Sequence, residues 1–348
     1  MEADDLSWPH TAPPPLTHGA LRATPEDFVV EELMPFALTG AGEHLWLKVC
    51  KRGFNSEQVA KQLARLAGVA RRDVGYAGMK DRHAVTVQWF SLHLPGRDNP
   101  DFAGLPPAVE ILEVARHTRK LKTGGLGGNR FVIVLRECRG DRDAVLRRVE
   151  DIRTRGVPNY FGEQRFGRDG DNIRHARAMF AGTASPRDRK LQGIYLSAAR
   201  SLLFNAVLAR RVADGTWDRL LDGEAVMLDG RRSFFVAGAL DAELERRLAE
   251  GDIHPSGPLW GRGEVPAGGP ARTLELAVTQ EYEDIRLGLE RAGLEQERRA
   301  LRVIPRDIEA EWLDDAALRL RFSLPAGSYA TVVLRELADY HNAAAAKI

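Results

Sequence analysis

The sequence predicts an α+β protein of two domains, one inserted into the other. Three observations carry this expectation. At 348 residues the chain exceeds the length at which one hydrophobic core keeps growing. Residues 1 to about 156 mix strand-like and helix-like patterns, and strand character returns near residue 318. Between them lie helical segments joined by polar loops. The expected division is 1–156, then an inserted 157–303, then a return segment 304–348.

Each element has its own signal. "DFVVEEL" (27–33) and "HLWLKVCK" (44–51) read as strands around the turn "TGAGE". Ser56 is expected to cap a helix with Val59, Leu63 and Leu66 at helical spacing, ended by Gly68. "AVTVQWFSLHL" (84–94) sets Val85, Val87 and Trp89 against Thr86, Gln88 and Phe90, the alternation of a half-buried strand. "RFVIVLREC" (130–138) is a further strand, and 143–156 a helix closed by Gly156. In the insertion, 195–214, 241–250 and 279–300 read as helices, with the Gly/Pro-rich 254–271 between them. "LRLRFSL" (318–324) restores strand, a helix is expected from about Ser328 to Tyr340, and the tail "AAAAKI" is expected to fray.

Composition narrows the class. With 50 Lys+Arg against 49 Asp+Glu, total charge neither favours nor excludes a nucleic-acid partner; local distribution decides. Cys50 and Cys138 are far apart with no CxxC spacing, which argues against a zinc site and a disulfide framework and for a reducing compartment. "MEADDLSWPH" has no apolar signal-peptide region, and no run reaches roughly 18 apolar residues. A cytoplasmic protein is expected.

Four stretches could carry chemistry. In "GYAGMKDRHAVTVQWFSL" (75–92), Lys80, Asp81, Arg82 and His83 follow one another. Flanking cations favour an ionised Asp81, the state a nucleophile requires, although an Asx turn would use the same residue. "RHTRKLKTGGLGGNRF" (116–131) carries Arg116, Arg119, Lys120, Lys122 and Arg130 without an acid, and its glycines suggest flexibility. This local basic patch suits phosphate contacts, and equally a solvated loop; it is neither a Walker loop nor a dinucleotide fingerprint. "PNYFGEQRFG" (158–167) interleaves Tyr160, Phe161 and Phe166 with Arg165, which suits base stacking or a domain core. "LRATPEDFVVEE" (21–32) is by composition only a turn leading into a strand.

Six blocks in order carry more than each alone: "RATPEDFVVEE" (22–32), "AGMKDRHAVTVQW" (77–89), "GNRFVIVLRE" (128–137), "VPNYFGEQRFG" (157–167), "YLSAARSLLFNAV" (195–207) and "LPAGSYATVVLREL" (324–337). Together they resemble the TruD family of tRNA pseudouridine synthases, over residues from about 20 to 340. The resemblance implies a pseudouridine synthase catalytic domain with a bent, mostly antiparallel mixed sheet flanked by helices, plus an inserted helix-rich α/β TRUD domain. It implies isomerisation of uridine to pseudouridine in tRNA, at uridine-13 of the D arm, without cofactor or metal. The partner implied is tRNA, with no membrane and no obligate protein partner, and a monomer is expected.

The same resemblance assigns residues. Asp81 matches the nucleophile; whether it attacks ribose C1′ or uracil C6 is left open. Arg22 stands where the family places a basic partner of that aspartate, with lysine also found there. Phe28 and Asn129 fall at positions contacting the target nucleotide, and Phe131 at the aromatic stacked on the uracil. Phe131 lacks a hydroxyl, so C5 proton removal falls to another group or water. Tyr329 stands where phenylalanine is usual, and its hydroxyl must find water or a partner. Lys80 and Arg165 complete the RNA-binding candidates. The alternatives are a non-catalytic tRNA-binding module, against which Asp81 counts, and a small-molecule hydrolase or transferase, against which the missing metal cluster and phosphate loop count.

Overall fold

A computed structural model describes residues 6–13, 16–184 and 186–344. Most of the expected frayed tail lies outside these residues. The chain divides into two compact units: 16–149 with 305–327 and 337–348, and 1–15 with 150–304 and 328–336. The 149/150 boundary falls inside the helix Arg142–Arg155.

The first unit is built on a ten-stranded mixed sheet. Its early strands are β1 (Thr17–Leu21), β2 (Phe28–Leu33), β3 (His44–Arg52), β4 (Val74–Tyr76), β5 (Val85–His93), β6 (Val109–His117) and β7 (Gly128–Gly140). The main path runs 306–312, 318–325, β7, β2, β5, β3, β6. β2 pairs with β5, and β1 with Ala338–Asn342, in parallel; the other pairings are antiparallel. The α+β class and the mostly antiparallel sheet stand as expected.

Helix α1 (Ser56–Ala67) follows its sequence signals. Its N-cap is Asn55 and not Ser56 as expected, because the Asn55 side chain accepts from Gln58 N–H and Ser56 is already helical, and Gly68 closes it in the left-handed conformation at φ 61°. α1 covers Leu45, Leu47, Val49, Phe90 and Leu92. Opposite faces of β3 and β5 bury Trp46 and Trp89 with Leu121. β5 is therefore buried on both faces over much of its length, whereas the alternation suggested one.

The second unit centres on the 25-residue helix Arg189–Ala213, with Asp171–Phe180 and Gly269–Gln280 against it. A four-stranded antiparallel sheet orders Phe234–Val236, Ala225–Leu228, Ile253–Leu259, Glu297–Ala300. This corrects two expectations. The Gly/Pro-rich 254–271 opens with a strand, and 279–300 is not one helix. Gly269–Gln280 and Glu283–Arg291 are separate, Gly293 turns at φ 79°, and 297–300 pairs with 256–259. Likewise the last helix is only Ala330–Leu334, and 338–342 joins the first unit's sheet beside β1. Cross-strand pairing overrode local helix propensity there.

Among the described residues, no helix is long and apolar enough to cross a membrane. Cys50 and Cys138 are free and lie in β3 and β7.

Candidate active site

Register places the first unit's candidates on one face of its sheet. Directly opposed residues in adjacent strands point to the same side. Phe28 opposes Ile133, Val30 opposes Phe131, Glu32 opposes Asn129, and Phe131 opposes Phe322. Val30 also opposes Thr86, and Thr86 opposes Lys51. Phe28, Phe131, Asn129, Glu32, Thr86 and Lys51 therefore share the face on which α1 sits.

The ring of Phe28 meets Phe131 edge-on with centroids 6.3 Å apart, and Phe131 meets Phe322 at 5.4 Å. Over Phe28 lies the Arg22 guanidinium, 4.2 Å from the ring centroid. Arg22 follows β1 with φ 59°, a conformation costly for a side chain with a Cβ. The next residues hold it there. Thr24 N–H donates to Asp27 Oδ2 at 2.8 Å, and Asp27, buried, pairs with Arg136 on β7 at 2.7 Å. Burial pushes the Asp27 carboxyl up, but Arg136 and the Thr24 amide outweigh it and hold it below its ordinary value.

Asp81 sits in the turn between β4 and β5. Its Oδ2 meets Arg22 Nη2 at 2.9 Å, and its Oδ1 accepts from His83 N–H at 2.9 Å. The Arg22 side chain is 17% exposed and the Asp81 side chain 35%. The aspartate is thus an Asx-turn residue and the partner of Arg22 at once. The cation in contact with it comes from 59 positions earlier in the chain, not from Lys80. Lys80 instead turns inward, its Nζ 2.7 Å from Glu32 and its side chain 11% exposed. Glu32 is wholly buried, which pushes its carboxyl above the usual range although Lys80 opposes this. Arg22 Nε, Asn129 Oδ1 and Thr86 Oγ1 at this face are buried without a hydrogen-bond partner among the described residues, and the buried Glu32 Oε1 has only its ion pair with Lys80. Such atoms suit a polar ligand that can satisfy them.

The glycine-rich loop is held at several points. Gly124 N–H donates to the Ala77 carbonyl, Gly127 N–H to Leu33, and Trp46 Nε1–H to Arg119. A Cβ on Gly75 would stand 2.3 Å from the Leu121 carbonyl oxygen, so only glycine permits this approach. Lys120 Nζ bonds the Arg72 carbonyl and Arg116 the Arg97 carbonyl, so two of its cations also tether the chain.

Arg165 and Tyr329 belong to the second unit, where they meet. Arg165 Nη2 donates to the Tyr329 hydroxyl at 2.7 Å and Nη1 to Ser197 Oγ at 2.9 Å. The Tyr329 hydroxyl, expected to need water or a partner, has this guanidinium as its partner. Phe161 packs edge-on to Tyr329 and lies under Arg299, 4.2 Å from its centroid. Sequence reasoning passed over Arg299, Lys51, Glu32 and Gln88. The last three had a signal: each is a polar residue in the buried register of its strand.

Among the described residues no group of three or more His, Cys, Asp or Glu could hold a metal ion. The family model described as tRNA pseudouridine synthase D (TruD) matches residues 10–176 and 171–337. The tRNA pseudouridine synthase D of Nitrosococcus oceani is 52% identical over 97% of this chain and 96% of its own length. That of Hydrogenovibrio crunogenus is 48% identical, covering 93% of each. A crystal structure of a Methanosarcina mazei protein described as tRNA pseudouridine synthase D superposes with TM-score 0.71 at 22% identity, over 94% of this chain and 95% of that one, a likeness of fold. The chain belongs to the TruD family, tRNA pseudouridine synthase D.

Proposed function

We propose that this protein is a cofactor-independent tRNA pseudouridine synthase that isomerises uridine-13 in the D arm, with Asp81 as nucleophile. The observation that carries the reading is the Arg22–Asp81 pair beside Phe28 and Phe131, in a chain of this family. In the reaction the bond from C1′ to uracil N1 breaks, the base rotates, and C1′ bonds to C5. The proton lost from C5 is balanced by one gained at N1, so no group is added and no electron leaves the substrate.

The side chains divide the work. Arg22 aims the carboxylate and compensates its charge once a base covers it. Phe28 and Phe131 offer stacking surface for the extruded uracil, offsetting an unstacking cost of a few kcal/mol. Asn129, with an unsatisfied Oδ1, reads the uracil edge. Lys80, tied inward to Glu32, supports the turn that carries Asp81, and Arg165 with Tyr329, which meet in the second unit, are the further RNA-binding candidates. We place the protein in the cytoplasm as a monomer.

The test is release of tritium from a tRNA transcript labelled at uracil C5, with the modified position mapped. Release confined to transcripts bearing uridine-13 is expected. No release, or release independent of that uridine, would contradict the reading.

A further inference from the structure

The turn that carries Asp81 rests on polar side chains rising from the buried face of the sheet. Gln88 Nε2 donates to the Gly78 carbonyl at 2.6 Å, and Ser56 Oγ accepts from Lys80 N–H at 2.9 Å while bonding Gln88 Oε1 at 2.7 Å. Glu32 holds Lys80 Nζ. The residue that reaches position 81 is Lys51, at the end of β3. Its Nζ donates to the Phe54 carbonyl at 2.7 Å and to the Asp81 carbonyl at 3.2 Å.

Lys51 is 0% exposed and forms no ion pair among the described residues. It continues the row Leu45, Leu47, Val49, in which an apolar residue would carry no desolvation cost. A buried cation in a core row, bonded to the backbone of the candidate nucleophile, points to chemistry.

We propose that Lys51 is a positioning residue for the isomerisation, fixing the Asp81 backbone from below so that its carboxylate is aimed at the extruded nucleotide. This rests on the reading of Asp81 as nucleophile. The cation also adds positive charge on the protein side of that carboxylate. Burial lowers the Lys51 ammonium to about 8; Asp81, Glu32 and the Cys50 thiol press it upward, and Lys80 presses it down. Above that pH the charge is lost and the hold on the Asp81 carbonyl weakens.

The experiment measures kcat and tRNA Kd for wild type and Lys51→Met from pH 6.5 to 9.5, with Asp81→Asn alongside. Displacements of about 1 Å in a reacting group cost on the order of 10²-fold, so Lys51→Met is expected to lose about that in kcat with Kd within about twofold. Wild-type kcat is expected to fall above pH about 8, and Lys51→Met to lack that limb. A Lys51→Met turning over within about threefold of wild type, losing Kd in step with kcat, or keeping the limb would overturn the proposal. An active Asp81→Asn would instead remove the nucleophile reading. If Lys51→Met does not fold, the ¹⁵Nζ of Lys51 and kcat are titrated together in the wild-type protein: a fall in kcat that follows the loss of the Lys51 charge supports the proposal, and a kcat unchanged through that titration overturns it.

Discussion

Replacing Arg22 by glycine separates what its backbone costs from what its side chain does. At φ 59° a residue with a Cβ is strained by about 1–2 kcal/mol, which glycine relieves. Against that, the variant loses an ion pair to a partly exposed carboxylate, worth at most about 1 kcal/mol, and the stacking on Phe28, about 0.5–1 kcal/mol. The two sides offset to within about 1 kcal/mol, so the melting temperature should move by no more than roughly 2–4 °C. Turnover should respond differently. A charge-assisted hydrogen bond to the nucleophile contributes about 1.5–3 kcal/mol, reduced by solvent at this half-open site, so kcat should fall about 10–100-fold. Arg22→Ala keeps the strain without the contacts, and should show the same kcat loss with about 1 kcal/mol less stability than the glycine variant. Single-turnover tritium release, tRNA filter binding and thermal melts read all three. Turnover of Arg22→Gly within threefold of wild type would refute the aiming role, and equal stability of the two variants would refute the strain.

Other perturbations follow the same geometry. Gly75→Ala drives a Cβ against the Leu121 carbonyl, and melts should show a loss of about 1–3 kcal/mol. Glu32 has a raised carboxyl, so the stability it confers is fully present below its unfolded-state value near 4.5 and is lost as pH rises through the folded value. Denaturation of wild type and Glu32→Gln across the acid range should show the wild-type advantage shrinking as pH rises. Charge reversal at Arg119 and Lys122 should weaken tRNA binding and lower its salt slope by about one per lost phosphate contact, measured by titrations at several salt concentrations.

The parts of the fold legible in the sequence were those with strong local periodicity. α1 announces its run and its Gly68 stop, and β7 carries the unbroken apolar run Phe131 to Leu135. What escaped was decided by pairing partners far along the chain. Residues 338–342 carry polar "ADYHN" and form a strand because β1 lies beside them. At the candidate site, "KD" drew attention to Asp81, but spacing could not tell that Lys80 turns down to Glu32 while Arg22 turns toward the aspartate. Register explains the buried polar row. Glu32, Gln88 and Lys51 each stand where their strand's alternation calls for an apolar residue, so period-two patterning points to them only once the inward face is known.

The account turns on the carboxylate of residue 81. Tritium release by Asp81→Asn and Asp81→Glu, with tRNA Kd measured on the same preparations, tests it most directly. Asn keeps the Asx turn and removes the charge, so release should vanish with Kd within about threefold of wild type; Glu keeps the charge but displaces it, and should retain only a small fraction of the rate. Release by Asp81→Asn at the wild-type rate would contradict the account.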